Sequence, residues 1–308
     1  MGQSDAGLRP PIILFGNARS GTTMMRELFD LHPDVSSWYE ERTIWNYADP
    51  ARKHDRFTEE DATPKVRAYI RKRFLQRQRE MGGRRVMEKT PACVVRIPYV
   101  RAIFPEASFV YIVREPLANL SSAELRWHNA IHLRHIRRRI RDTPKSQLHY
   151  YLGKLIVDHF RKKVLRQKHV SVWGVRYPGI LEDRKRLSTE EIIARQWAYC
   201  SKTAAEDLAR IEPGKVHTVR YEDFVTDPAT HFARILSHCG LDMTPEISKA
   251  LSEWVDPGRQ NKWKRLDPGV LRTCLPIVMD EMGRHGYQVP DDVLALLESP
   301  QPPAAVSA

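Results

Sequence analysis

Ile12-Ile13-Leu14-Phe15-Gly16-Asn17-Ala18-Arg19-Ser20-Gly21-Thr22-Thr23 is an apolar run that stops at a glycine-bearing loop and resumes as a helix. Four consecutive apolar residues suit a short strand buried on both faces. From Thr22 to about His32, Met24, Met25, Leu28, Phe29 and Leu31 recur at helical spacing, so the loop joins a strand to a helix. The alternation continues outward. Arg85 to Met87 reads as a second short strand, ending at Glu88-Lys89-Thr90-Pro91, and a helix is predicted from Val94 to Phe104, interrupted or kinked at Pro98. Ser108 to Val113 is a near-continuous apolar strand, and a helix starts after Pro116. Val216 to Val219 is a further strand, followed by a helix from about Pro228 to His238 that stops at Gly240. Strands alternating with helices predict the α/β class with an open parallel sheet.

The loop carries the first chemistry. Gly16-x4-Gly21-Thr22-Thr23 has the spacing of a P-loop, but Thr22 stands where the lysine usually does. The expected fold is therefore a P-loop-like parallel sheet flanked by helices, with helical insertions. Successive backbone N–H groups of Ser20, Gly21, Thr22 and Thr23, with the helix N-terminus, favour an anion. Arg19 adds a fixed cation able to contact phosphate oxygens in bidentate fashion. A nucleoside triphosphatase also wants an acidic magnesium ligand after an apolar strand. Here that strand ends Val113-Arg114, a cation in the carboxylate's place. No metal is expected. Alone, a glycine loop with an arginine is equally an ordinary strand–helix turn.

Further motifs decide between the two. Asn17-Ala18-Arg19-Ser20-Gly21-Thr22-Thr23 resembles the 5′-phosphosulfate loop of sulfotransferases that use 3′-phosphoadenosine-5′-phosphosulfate (PAPS), above all the protein-tyrosine and carbohydrate branches and their bacterial relatives. Phe104-Pro105, then Phe109 to Pro116 and Ser122, resembles that family's 3′-phosphate motif. The resemblance implies that Arg114 and Ser122 clamp the 3′-phosphate, with Ser121 adjacent as the other choice of hydroxyl. Arg220-Tyr221-Glu222-Asp223 resembles the family's strand-end tyrosine segment, so Tyr221 either stacks on adenine or packs the core. Asn261-Lys262-Trp263-Lys264 resembles a segment that closes over the nucleotide, with Lys262 reaching a phosphate; a solvated loop is the competing reading. The implied activity is sulfuryl transfer from PAPS to a hydroxyl acceptor (a carbohydrate, a tyrosine or phenol, or a natural product), leaving PAP.

Sulfuryl transfer needs a base for the acceptor's proton and cations on the transferring oxygens. Lys89 matches the family's Lys-Thr/Ser element and is the candidate for stabilising the transferring group, beside Arg19. Some family members carry a histidine two residues later; here that position is Pro91. In the tyrosine-sulfating branch a glutamate follows a His-Pro segment. Here His32-Pro33 leads to Glu40 and Glu41, and ungapped spacing from Arg19 selects Glu40, with Glu41 second and Glu88 third. Partial burial would raise such a carboxylate's pKa toward neutrality. One of the pair also suits the N-terminus of a helix through Thr43-Ile44-Trp45.

Composition bounds the rest. The 308 residues are 42% hydrophobic, with a net charge of +12 and four scattered cysteines. No apolar run approaches the ~18 residues that span a bilayer, and Met1 to Pro10 has no signal-like core. The expectation is a cytoplasmic protein of one domain, 1–308, with a homodimer as one option. From Arg126 to Lys168 there are 13 Lys and Arg against two acids. Leu133, Ile136 and Ile140, then Leu148, Leu152, Leu155 and Ile156, predict basic amphipathic helices within an insertion over about 127–174. This segment suits an anionic acceptor or a solvated surface. The Pro/Ala-rich tail, 299–308, is expected to be disordered. Two rivals stand beside sulfotransfer. A P-loop kinase lacks its loop lysine and metal carboxylate. A nucleic-acid-binding protein lacks a module and stacking aromatics, so no nucleic acid is expected.

Overall fold

The computed structural model describes residues 7–127, 173–256 and 266–298, with 258 and 264. Lys262 and its neighbours, the helices expected between 128 and 172, and the tail from 299 lie outside the described residues. Among the described residues no helix is long and apolar enough to cross a membrane.

Five parallel strands form the sheet: β1 (Ile12–Gly16), β2 (Val35–Tyr39), β3 (Arg85–Lys89), β4 (Ser108–Val113) and β5 (Val216–Arg220), in the spatial order β2-β3-β1-β4-β5. β1 shows why its sequence is apolar without alternation. Ile12 and Leu14 face one core with Met25, Leu28 and Phe29 of helix α1 (Thr22–Asp30). Ile13 and Phe15 face the other, larger core, which contains Trp45, Phe74, Phe104 and Trp197. Both faces of a central parallel strand are covered, so both must be apolar.

Helices α2 (Arg42–Trp45), α3 (Pro64–Glu80), α4 (Ile97–Ile103) and α5 (Pro116–Trp127) follow in the first half. The second half holds α6 (Ile180–Asp183), α7 (Thr189–Leu208), α8 (Tyr221–Thr226), α9 (Pro228–His238), α10 (Pro245–Trp254), α11 (Pro268–Arg284) and α12 (Asp291–Glu298). Two long helices, α3 and α7, have strong starts. Thr63 caps α3 ahead of Pro64, and Ser188 forms a capping box with Glu191 at α7.

The segment expected as one helix from Val94 to Phe104 is two elements. A 3₁₀ turn covers Pro91–Val95, and α4 starts at Ile97 with Pro98 in its first turn. Proline lacks an N–H that this position does not need, so it opens the helix instead of kinking it.

Strand order fixes where a site can form. β1 leads toward β3 and β2 on one side, whereas β4 leads to β5 on the other. The crevice of such an open sheet lies at the carboxyl ends of the strands, where the order reverses. The loop after Gly16, Glu40 after β2, Lys89 closing β3, Arg114 after β4 and Tyr221 after β5 all lie at those carboxyl ends.

Candidate functional site

The loop after β1 is shaped by two close approaches. Gly16 pairs with Ile112 of β4, and a Cβ on it would lie 2.3 Å from the Ile112 carbonyl oxygen. Gly21 has φ +90° as N-cap of α1, and a Cβ there would lie 2.7 Å from the Tyr221 ring. Between them Arg19 also takes a left-handed backbone, φ 72°. The Ser20 N–H donates to the Asn17 carbonyl at 3.1 Å, closing the turn. Asn17 is tied to α7 through its Nδ2, which donates to Ser201 Oγ at 2.9 Å. Asn119 of α5 donates to the Ala18 carbonyl at 2.6 Å. Ser20 and Thr22 are buried and Thr23 is exposed. α1 has neither a side-chain cap nor an acidic residue in its first turn, so its positive end faces the loop uncompensated by side chains.

Three residues chosen from separate stretches of sequence meet at this loop. Arg19 Nε donates to Ser122 Oγ at 3.0 Å. Arg114 NH1 donates to the Arg19 carbonyl at 2.9 Å. The Arg114 guanidinium also lies 4.2 Å from the centre of the Tyr221 ring, a cation–π contact that orients it. Of the adjacent serines, Ser122 is the one bonded to Arg19. Tyr221 is buried in the core beneath Arg114 and against Gly21.

A second group lies on the other side of β1. Lys89 Nζ is 2.6 Å from Glu40 Oε1. Lys89 is almost wholly buried, whereas the Glu40 side chain is 34% exposed. Glu40 has φ +35°, unusual for a non-glycine residue. Glu41 is buried as N-cap of α2, its carbonyl accepting the N–H groups of Ile44 and Trp45. Glu88 is fully buried, accepts a hydrogen bond from Thr90 Oγ1, and has Cys93 Sγ 3.9 Å away. Burial pushes its carboxyl up to about 7, against the Thr90 hydrogen bond. Glu88 thus has no access to solvent, whereas Glu40 is partly exposed.

The sequence reading did not single out Asn119, Trp197 or Glu222. Trp197 Nε1 donates to the Arg114 carbonyl at 2.9 Å, and Glu222 Oε1 accepts the Glu115 N–H at 3.1 Å. Among the described residues no group of three His, Cys, Asp or Glu is placed to hold a metal ion. An uncapped helix start, a loop that admits no Cβ at Gly21 and the arginines 19 and 114 together suit an anionic ligand.

Comparison with known proteins agrees with this chemistry. A family model described as "Sulfotransferase family" matches residues 10–183 and 165–245. Protein-tyrosine sulfotransferase 1 of Danio rerio is 31% identical over 125 residues, covering 37% of this chain and 35% of that protein. The match thus spans about a third of the length of that curated relative. Two solved structures share the fold. The sulfotransferase domain of the Synechococcus PCC 7002 olefin synthase has a TM-score of 0.54 at 18% identity, covering 94% of this chain and all of that one. The sulfotransferase domain from the curacin biosynthetic pathway has a TM-score of 0.53 at 14% identity, covering 92% of this chain and 99% of that one.

Proposed function

Because the chain belongs to the sulfotransferase family, we propose that it transfers a sulfuryl group from PAPS to a hydroxyl acceptor. The observation that carries this reading is the convergence of Arg19, Ser122 and Arg114 at the loop after β1, one strand away from the Lys89–Glu40 pair. PAPS, when bound, supplies the sulfuryl group and leaves as PAP. The N–H groups of Gly21, Thr22 and Thr23 and the Arg19 guanidinium hold its phosphosulfate end. Arg114 and Ser122 hold the 3′-phosphate, and Lys262 adds a phosphate contact from outside the described residues. Tyr221 orients Arg114 from beneath.

Lys89 places positive charge where negative charge grows on the transferring oxygens. Glu40 accepts the acceptor's proton as the oxygen–sulfur bond forms and the bond to the leaving phosphate breaks. Buried Glu88 cannot take that part, and Glu41 spends its position on starting α2. The acceptor is a carbohydrate, a tyrosine or phenol, or a natural-product hydroxyl, and the likeness to protein-tyrosine sulfotransferases puts phenols first in any panel.

The test is incubation of the protein with sulfur-labelled PAPS and these acceptors, in excess EDTA, with products identified by mass. We expect PAP and one labelled acceptor to form in equal amounts. Turnover that requires magnesium, or phosphoryl transfer from ATP, would overturn the reading in favour of a kinase.

A further inference from the structure

We infer that Glu222 is a positioning residue for Arg114, fixing the peptide that follows it so that the guanidinium presents one orientation to a 3′-phosphate. The inference rests on the donor reading above. Its basis is a single peptide unit, the one joining Arg114 to Glu115. Each peptide has one acceptor and one donor to satisfy. β4 ends at Val113, so this unit lies beyond the regular strand. Side chains from two distant elements satisfy it instead. The Arg114 carbonyl accepts from Trp197 Nε1 of α7, at 2.9 Å. The Glu115 N–H donates to Glu222 Oε1 at the start of α8, at 3.1 Å. Rotating the unit would break both bonds together.

Glu222 is itself held. Its Oε2 accepts from the Tyr287 hydroxyl at 2.9 Å, so the carboxylate's orientation is set from the C-terminal part of the chain. The preceding residue, Tyr221, lies beneath the Arg114 guanidinium. Residues 221 and 222 therefore grip Arg114 at both ends, one by the ring under its charge and the other by the peptide at its root. The grip extends into α5. The Glu115 carboxylate accepts the N–H groups of Leu117 and Ala118, at 2.8 and 2.6 Å. That cap starts the helix bearing Asn119, which holds the loop, and Ser122, which meets Arg19. Two carboxyls lie close here at an electrostatic cost: burial first, and the Glu222 charge in addition, push Glu115 up to about 7. An apolar residue at 222 would avoid that cost but would leave the Glu115 N–H without its acceptor.

PAP and adenosine 5′-monophosphate differ only by the 3′-phosphate, so calorimetry with both isolates what Arg114 contributes. We expect the wild type to prefer PAP, and Glu222→Ala to lose that preference by about 10- to 100-fold while binding the monophosphate unchanged. In turnover, KM for PAPS should rise with kcat at saturating donor retained. Glu222→Gln keeps an oxygen for the Glu115 N–H and should restore the preference. If Glu222→Ala does not fold, Trp197→Phe removes the opposing bond and should show the same selective loss. A wild type that binds PAP no better than the monophosphate overturns the donor reading and this inference with it. A wild type that prefers PAP, with Glu222→Ala and Trp197→Phe preferring it equally, overturns the inference alone. A Gln variant as impaired as the Ala variant overturns it too, because the hydrogen bond would not be what matters.

Discussion

The Lys89 ammonium and the Glu40 carboxylate meet at 2.6 Å across the ends of two neighbouring parallel strands, where Tyr39 of β2 stands opposite Lys89 of β3. The chain turns as it leaves β2 there, with Glu40 at φ +35°. A left-handed non-glycine residue costs roughly 1–3 kcal/mol and persists only where its surroundings impose it. Here the turn delivers a partly exposed carboxylate to a buried cation. In the proposed reaction this places the base, Glu40, and the cation, Lys89, side by side before the acceptor hydroxyl arrives.

Glu40→Gln keeps the shape of that side chain but removes its ability to take a proton. Turnover should fall by about 10²–10⁴ with donor affinity little changed. Glu41→Gln should retain turnover, because Glu41 serves α2 through its backbone carbonyl. Steady-state kinetics with any acceptor that turns over checks both. An active Glu40→Gln beside a dead Glu41→Gln would move the base by one residue.

Arg114→Ala removes the guanidinium held by the Arg19 carbonyl and the Tyr221 ring. Losing a charge-assisted phosphate contact costs about 1.5–3 kcal/mol. Calorimetric affinity for PAP should drop accordingly, with thermal unfolding close to that of the wild type. Unchanged affinity would remove Arg114 from the nucleotide site.

Gly16→Ala and Gly21→Ala separate fold from loop. At Gly16 the added methyl meets the Ile112 carbonyl of the adjacent strand, which cannot yield without breaking the sheet register. At Gly21 it meets the Tyr221 ring and takes an unfavourable φ. Both variants should be destabilised, Gly16→Ala the more. Gly21→Ala should also weaken PAP binding, because Tyr221 supports Arg114. Chemical denaturation and calorimetry read the two effects, and a Gly16→Ala variant as stable as the wild type would contradict the strand contact.

Some of this site was legible because its residues follow strands that the sequence marks. Arg114 comes directly after the apolar run of β4 and Arg19 three residues after the end of β1, while Lys89 closes and Tyr221 follows the shorter, more polar strands β3 and β5. β2 was not legible. Its Ser36 and Ser37 interrupt any apolar pattern, and Ser37 is bonded to Asp30 and Arg26 of α1. Glu40 was reachable only by counting from Arg19, with no strand to place it. Nothing local told what Trp197 and Glu222 bond, since each acts on a peptide 83 or 107 residues away. Nor could spacing show that Glu88 is sealed in the core while Glu40 opens outward, because burial depends on what other segments lay over a strand end.

Glu88 makes the stability of the protein depend on pH in a direction opposite to that of a salt-bridged carboxylate. Its carboxyl is raised from an ordinary 4.5 to about 7 by burial, with the nearby Glu41 charge acting the same way. Between those two values the folded chain holds a proton that the unfolded chain has released. Stability from this group is therefore fully present below about 4.5, falls as pH rises, and is lost above about 7. The whole change is on the order of 3 kcal/mol. Glu88→Gln stays neutral at every pH and keeps an acceptor for the Thr90 hydroxyl. Its stability should match the wild type near pH 4 and exceed it by up to about 3 kcal/mol at pH 8, the gap widening across the interval between. Urea denaturation of both proteins from pH 4 to 8 measures the difference directly. A difference that stays constant across that range would mean Glu88 does not titrate there, and a wild type that gains on the variant as pH rises would show the carboxylate to be stabilised by a partner instead of penalised by burial.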